Sequence, residues 1–219
     1  MEISDVLNSI IYNTFVKYWY FWLIIILIPI IFMTLGWLVK HSKKKISRNK
    51  PTYKYISTDG KGLFGEKIVS TILKGLNPEN YKIINNLNIK NGKETAQIDH
   101  LVVSNFGIFV IETKNLSGII YGGESTNYWT QKFSNAHKEK FLNPIRQNDW
   151  HISVLKNILK KFKDILFIPI IVFLEDADLM VSTTTDVIYI YDLLKTISRY
   201  RSEIIADDIK DEIYNFLIT

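Results

Sequence analysis

A long uncharged run places the tightest constraint on how this chain can fold. Residues 18–39 read YWYFWLIIILIPIIFMTLGWLV, with no Asp, Glu, Lys or Arg. A helix of this length rises about 33 Å, enough to cross a hydrocarbon core of about 30 Å. Tyr and Trp lie near both ends, which is typical of side chains at a membrane–water interface. The run therefore predicts a single transmembrane helix over residues 18–39.

Two other interpretations of this run are weaker. A cleaved signal peptide has a basic start, a shorter apolar run and a small-residue cleavage site. This chain instead starts with Glu2 and Asp5, and Lys40 follows the run directly. A buried core helix is rarely so long and so uniformly apolar. We expect residues 1–17, before the span, to form a short extracytoplasmic or interfacial segment.

The positive charge of the chain is concentrated around this span. Residues 1–50 carry seven basic and two acidic residues, and so account for the whole formal charge of +5. The basic cluster at residues 40–50, KHSKKKISRNK, predicts that this side of the span faces the cytoplasm. The same cluster is suited to bind anionic lipid. A DNA-binding arm is the alternative interpretation.

The expected protein is a single-pass protein of the cell membrane, with its N-terminus outside and its C-terminal domain in the cytoplasm. Residues 40–58 would form a basic juxtamembrane linker, residues 59–175 the folded core, and residues 176–219 a C-terminal extension that packs on it. The absence of cysteine excludes a disulfide framework, a cysteine zinc site, an iron–sulfur cluster and a thiol nucleophile.

After the linker, the pattern of apolar residues predicts an α/β domain. A helical pattern is followed by three strand patterns, and two of these, Gln97–Val103 and Ile108–Lys114, are joined by a turn at residues 104–107. Residues 143–144 are Asn-Pro, which is typical of a helix start. Residues 165–174 form the pattern of a buried strand. The predicted order of elements is α-β-β-β-α-β, followed by further elements.

The turn between the two strands determines which side chains face each other. If it is centred between Asn105 and Phe106, Asp99 lies opposite Glu112, with Cβ atoms about 5 Å apart. Lys114 lies two residues beyond Glu112 on the same face. Opposed carboxylates repel each other unless a pKa is raised or a cation lies between them.

Asp99, Glu112 and Lys114 are side chains of the types that a site for phosphodiester cleavage needs. Mg²⁺ characteristically takes one or two protein carboxylates together with phosphate, and Lys114 could hold or deprotonate a water. A simple salt bridge at a sheet edge is the alternative interpretation.

The sequence around these residues resembles that of a known family. GLFGEKIVSTIL, AQIDHLVVSNFGIFVIETKNLSGIIYGG and NPIRQNDWHISVLKNIL are similar to stretches of the NERD family, the nuclease-related domain, over about residues 62–174. The features that carry the resemblance are Gly65-Glu66, Ile98-Asp99-His100, Gly107-Ile108, Glu112-Thr113-Lys114 and Asn143-Pro144 with Gln147. The resemblance implies a restriction-endonuclease-like core of the PD-(D/E)xK type, with Ile98 in place of the proline. This core has the order αβββαβ and consists of a mixed sheet flanked by helices.

The resemblance also implies a metal site and its ligands. Glu66 would be the outer acid, Asp99 the central ligand, and Glu112 the second ligand together with the Thr113 carbonyl. The implied cofactor is Mg²⁺ or Mn²⁺.

Two further residues complete the implied site. Lys114 would position a water, and Gln147 would approach from the later helix. The implied partner is nucleic acid, with DNA favoured over RNA.

The expected function is therefore Mg²⁺-dependent hydrolysis of nucleic acid by a membrane-anchored nuclease that faces the cytoplasm. A non-catalytic membrane-tethered module that binds nucleic acid or protein is the alternative. The zero net charge of residues 51–219 argues against strong unaided DNA binding. The retained carboxylates favour catalysis, because a pure binding module has no use for side chains that repel phosphate.

Several other residues have a less specific pattern. His100 follows Asp99 on a strand and is expected to point to the opposite face as a core or rim histidine. His151 lies one helical turn beyond Gln147 and could line the site, although packing or solvent exposure is favoured. Three aromatic residues could stack on bases, with core packing favoured: Tyr128, Trp129 and Trp150.

Overall fold

Two units make up the chain, Met1–Tyr55 and Ile56–Thr219. The computed structural model describes residues 58–91 and 94–219, and elsewhere only residues 12–13, 18–19, 27–29 and 33–34. These short stretches are helical and exposed. The rest of the expected span and the whole basic cluster lie outside the described residues.

The described residues contain no helix that is both long enough and apolar enough to cross a membrane.

The second unit alternates helices with strands in the order expected for an α/β fold. Its elements are α1 (Thr58–Leu73), β1 (Tyr81–Asn91), β2 (Glu94–Ser104), β3 (Gly107–Lys114), β4 (Gly118–Gly123), β5 (Tyr128–Lys132), β6 (Lys138–Leu142), α2 (Pro144–Ile158), β7 (Phe167–Phe173), β8 (Ala177–Ser182), β9 (Asp186–Tyr189), a 3₁₀ turn (Ile190–Asp192), α3 (Leu193–Ile197) and α4 (Asp207–Ile218).

The strands form two sheets. The first has the order β1-β2-β3-β7-β9, with β1 to β3 antiparallel and β3, β7 and β9 parallel. The second has the order β6-β5-β4-β8, with β4 and β8 parallel and the other pairs antiparallel. The predicted α/β class is confirmed. The first sheet is the expected mixed sheet flanked by helices. The second sheet was not expected, and β4, β5, β6 and β8 form it by pairing separately.

Residues 176–219 contribute to both sheets. Strand β8 pairs with β4 in the second sheet, and β9 pairs with β7 in the first. This part of the chain, expected as a C-terminal extension, therefore supplies backbone hydrogen bonds to the core itself.

Apolar side chains fill three layers around the sheets. α2 and α4 cover one face of the first sheet, and α1 and α3 cover the other. A third cluster joins the inner face of the second sheet to β7, where Trp129 stacks on Phe173 with ring centroids 6.3 Å apart. A Cβ added at Gly122 would lie 2.3 Å from the Trp129 ring. The glycine therefore makes room for the indole of the adjacent strand.

The start of α2 is fixed by its capping residue. The Asn143 carboxamide oxygen accepts a hydrogen bond from Ile145 N (3.0 Å), and its Nδ2 donates to the carbonyl of Thr126 (2.7 Å). Pro144 occupies the first turn, as the Asn-Pro pair predicts. Further along α2, Asn148 Nδ2 donates to the Val110 carbonyl (2.7 Å). These bonds hold one face of α2 against β3.

Candidate active site

The β2–β3 hairpin has the register that its turn predicts. His100 pairs with Ile111, and Ser104 pairs with Gly107. The Ser104 hydroxyl donates to the Gly107 carbonyl (2.7 Å) and accepts from Phe106 N (3.1 Å), which closes the turn. At the other end of the paired segment, the next residue of β2 is Asp99.

Asp99 is fixed by the backbone of β3. Its Oδ2 accepts a hydrogen bond from Thr113 N at 2.8 Å. Burial raises the pKa of the Asp99 carboxyl, while the Thr113 N–H and the charge of Lys114 act in the opposite direction. Thr113 thus lies in the site between Glu112 and Lys114, and its amide orients the carboxylate.

Lys114 joins β3 to α2 through two hydrogen bonds. Its Nζ donates to Glu112 Oε1 at 2.6 Å and to Gln147 Oε1 at 3.0 Å. The Glu112 side chain is only 2% exposed, whereas that of Lys114 is 19% exposed. The ammonium is therefore held from both sides and still reaches solvent.

Glu112 lies in an environment that favours its protonated form. Burial raises its pKa to about 7, and the charges of Asp99 and Glu66 add to this, although Lys114 opposes the shift. Its Oε2 is buried and has no hydrogen-bond partner among the described residues. A buried carboxylate oxygen without a partner is costly, so this atom is suited to accept a ligand.

His151 lies in the site, although the sequence favoured packing or solvent exposure for it. It is buried, and its Nδ1 lies 3.6 Å from Glu112 Oε2. Burial, followed by the charge of Lys114, lowers the pKa of the imidazole and favours its neutral form. Its position four residues after Gln147 was the signal, because residues so spaced share one helix face.

Glu66 approaches the same end of β3 from α1. Burial and the charge of Asp99 raise the pKa of the Glu66 carboxyl. The close approach depends on Gly65, where an added Cβ would lie 3.0 Å from the Asn115 side chain. Asn115 Nδ2 also donates to the Lys61 carbonyl (2.7 Å), which ties α1 to the chain after β3.

The three carboxylates have the chemistry of a site for a hard divalent cation. In the described ranges, no group of three or more acidic or histidine side chains is placed so that together they could hold a metal ion. Mg²⁺ does not need such a group, since it is usually held by one or two carboxylates with waters and substrate phosphate. Asp99 and Glu112 supply two neighbouring carboxylates, and the charge of Glu66 also acts on Glu112.

The remaining candidates lie outside this cluster. His100 is buried, its Nδ1 donates to Asn85 Oδ1 (2.7 Å), and burial lowers its pKa to about 4. Trp129 belongs to the core, whereas Tyr128 and Trp150 are exposed. The structure therefore brings together Glu66, Asp99, Glu112, Thr113, Lys114 and Gln147, and it adds His151.

Comparison with known proteins identifies the family of the chain. The model of the family described as nuclease-related domain (NERD) matches residues 61–174. An uncharacterized protein of Bacillus anthracis is 33% identical over 163 residues, which cover 72% of this chain and 76% of that protein. No solved structure matches the chain. On these two matches, the chain belongs to the nuclease-related domain family.

Proposed function

We propose that this chain is a metal-dependent nuclease whose active site lies at the C-terminal end of β3. The observation that carries the proposal is the position of Lys114, which Glu112 and Gln147 hold beside the fixed carboxylate of Asp99. A carboxylate cluster with an adjacent ammonium matches the needs of phosphodiester hydrolysis. Membership in a nuclease-related family supports the same reaction class.

Each residue has a distinct part in this proposal. Asp99 and Glu112 would hold Mg²⁺ or Mn²⁺, with Glu66 and the Thr113 carbonyl as further ligands. The cation would supply Lewis-acid activation of a phosphate oxygen and of a water.

Lys114 would donate a hydrogen bond to the attacking water or to a phosphate oxygen. The Gln147 carboxamide oxygen keeps the Lys114 ammonium in place by accepting a 3.0 Å hydrogen bond from it.

A cleavage assay tests this function. The full-length chain in detergent is incubated with labelled single- and double-stranded DNA and RNA, with Mg²⁺, Mn²⁺ or EDTA. We expect divalent-metal-dependent cleavage, preferably of DNA. Lys114→Ala should lower the rate by about 10²–10⁴-fold, the usual effect of removing a positioned group that assists proton transfer. Asp99→Ala should lower it at least as much, because it removes a ligand of the cation. The matched controls are Asp208→Ala and Lys90→Ala, which change exposed residues of the same types. Equal cleavage by the parent and the Asp99 variant would contradict the proposal.

The alternative is a non-catalytic module that binds nucleic acid or protein. It is favoured by the 2.6 Å ion pair between Lys114 and Glu112, which compensates the buried charge without any metal. The cleavage assay separates the two, because a binding module would cut no substrate under any metal condition.

We also propose that residues 18–39 anchor the chain in the cell membrane, with residues 1–17 outside and the second unit in the cytoplasm. The apolar length of the run and the basic cluster at residues 40–50 support this. The same cluster would contact anionic lipid.

Protease digestion of intact cells that carry tags at both termini checks the orientation. We expect loss of the N-terminal tag alone. Release of the chain from membranes by alkaline carbonate, or loss of the C-terminal tag, would be the contrary result.

A further inference from the structure

The outward face of the second sheet carries an unusual set of side chains. Along β5, Trp129 and Gln131 are buried, so the alternation of the strand turns Tyr128, Thr130 and Lys132 outward. The register extends this face to the neighbouring strands. We call it the tyrosine–lysine face and define it as Tyr121, Tyr128, Lys132, Lys138 and Lys140.

The lysines of this face lie close together. Lys132 pairs directly with Lys138 across β5 and β6, and Lys140 pairs with Thr130 in the next row. Like charges directly opposite each other on a sheet are destabilising. The second sheet therefore places three ammonium groups where an anionic ligand would relieve their repulsion.

The tyrosines of the face lie beside these lysines. Tyr121 pairs with Thr130, which makes it a diagonal neighbour of Tyr128 at roughly 7–8 Å between the backbones. Tyr128 is 60% exposed and Tyr121 is 42% exposed. Met180 and Leu142, their partners on the flanking strands, are exposed as well. Exposed rings on a rigid sheet can stack on unpaired bases.

Nearby acidic groups do little to neutralise the face. Asp178, at the β8 edge, is the acidic residue that the register places on this side, opposite Ile119. Glu139 pairs with the inward-facing Gln131, and Glu124 accepts hydrogen bonds from Thr184 and Thr185.

Basic residues elsewhere in the second unit are partly neutralised by ion pairs. Lys161 pairs with Glu212 at 2.7 Å, and Arg199 pairs with Asp186 at 2.6 Å.

We propose that the tyrosine–lysine face binds single-stranded nucleic acid. Bases stack on Tyr121 and Tyr128, and phosphates contact Lys132, Lys138 and Lys140. The inference rests on the proposed function and deepens it, because it assigns a strand-binding surface to the same enzyme. Strand β4 follows β3 after residues 115–117, so the face begins directly after the strand that carries Glu112 and Lys114.

Fluorescence anisotropy of labelled oligonucleotides tests the inference. The full-length chain in detergent is titrated with oligothymidylate, oligouridylate and a DNA duplex, in EDTA so that no metal-dependent cleavage occurs. The variants are Tyr121→Ala, Tyr128→Ala, the two matching phenylalanine variants, and a triple lysine-to-glutamine variant at 132, 138 and 140. A second triple variant, Lys156→Gln with Lys160→Gln and Lys163→Gln, is the matched control for charge. Thermal unfolding confirms that each variant is folded.

We expect both single strands to bind more tightly than the duplex. Each alanine variant should bind about tenfold more weakly, because a stacked base is lost, while the phenylalanine variants bind like the parent. The triple variant of the face should reduce the slope of log affinity against log salt by about 2, since three phosphate contacts are lost. The control triple should leave affinity and slope close to those of the parent.

Three outcomes would overturn the inference. These are alanine variants that bind like the parent, a loss of affinity confined to the control triple, and a concentration-dependent dimer that the tyrosine variants abolish, which would make the face a contact between two copies. Failure of the proposed nuclease function would look different: strand binding through the face would persist while the cleavage assay gave no product.

Discussion

Replacing Lys114 with methionine should lower the free energy of unfolding by about 1–2 kcal/mol at pH 8, because the ionised Glu112 carboxylate loses its partner. The pKa of Glu112, about 7, limits this loss, since at pH 8 the unpaired carboxyl can take up a proton at a cost of about 1.4 kcal/mol. Glu112 is only 2% exposed, and its Oε1 accepts a 2.6 Å hydrogen bond from the Lys114 ammonium. Methionine keeps the length of the side chain but supplies no charge. Chemical unfolding of the full-length chain in EDTA measures the effect.

A double variant isolates the cause of this loss. Adding Glu112→Gln to Lys114→Met removes the uncompensated carboxylate, so most of the lost stability should return at pH 8. At pH 5 the carboxyl of the single variant is protonated, and the loss should be smaller. A loss of equal size at both pH values, with no recovery in the double variant, would show that Lys114 stabilises the fold by packing alone. Cleavage should be lost in both variants.

The Glu112→Gln variant alone should be more stable than the parent at pH 8 and also inactive. Burial raises the pKa of Glu112 from its ordinary value of 4.5 to about 7. Between these two values the folded state binds more protons than the unfolded state, so the contribution of this group to stability is greatest at low pH and falls as the pH rises through 7. Glutamine does not titrate. At about 1.4 kcal/mol for each pKa unit, the variant should gain about 3 kcal/mol over the parent at pH 8.

The most direct test of this prediction is the pH dependence of the difference in unfolding free energy between the parent and the Glu112→Gln variant. Unfolding of the parent and the variant in EDTA should give similar free energies at pH 5, where Glu112 is protonated and resembles glutamine in shape. The difference should open between pH 5 and pH 8. A variant less stable than the parent at pH 8 would mean that the ion pair with Lys114 outweighs burial. The expected gain in stability with a loss of activity is the usual sign that a residue is retained for function.

The β2–β3 hairpin could be predicted from sequence because local chemistry determines it. The turn at residues 104–107 and the alternation of the two strands set the register. Extending that register by one residue puts Asp99 opposite Glu112, and the charge of Asp99 does act on Glu112. The start of α2 at Asn143-Pro144 could be predicted for the same reason, because helix capping depends on residues that are neighbours in the sequence.

The second sheet could not be predicted in the same way. Strand β6 reads KEKFL and β5 reads YWTQK, so neither contains a continuous apolar run. These segments are strands because they pair with each other and because Trp129 packs on Phe173, contacts that no short stretch of sequence encodes.

The position of His151 in the site also depends on contacts between distant parts of the chain, so it could not be predicted from local sequence. The face that α2 turns towards β3 is set by the bond from Asn148 to the Val110 carbonyl, which joins residues far apart in the chain. Once that orientation is known, Gln147 and His151 both point at the end of β3, where Lys114 and Glu112 lie. Helical spacing alone shows that two residues share a face, but not what the face contacts.

The central claim is that the carboxylates at the end of β3 hold a divalent cation, and thermal unfolding with Mg²⁺ tests it most directly. The full-length parent and the Asp99→Ala variant are unfolded in EDTA, in Mg²⁺, and in NaCl of matched ionic strength. Binding at about 100 times Kd adds about 2.7 kcal/mol, which should raise the Tm of the parent by roughly 5–10 °C in Mg²⁺ alone. The Asp99→Ala variant should unfold at the same temperature in all three solutions. A parent Tm that does not respond to Mg²⁺ or Mn²⁺ would contradict the account.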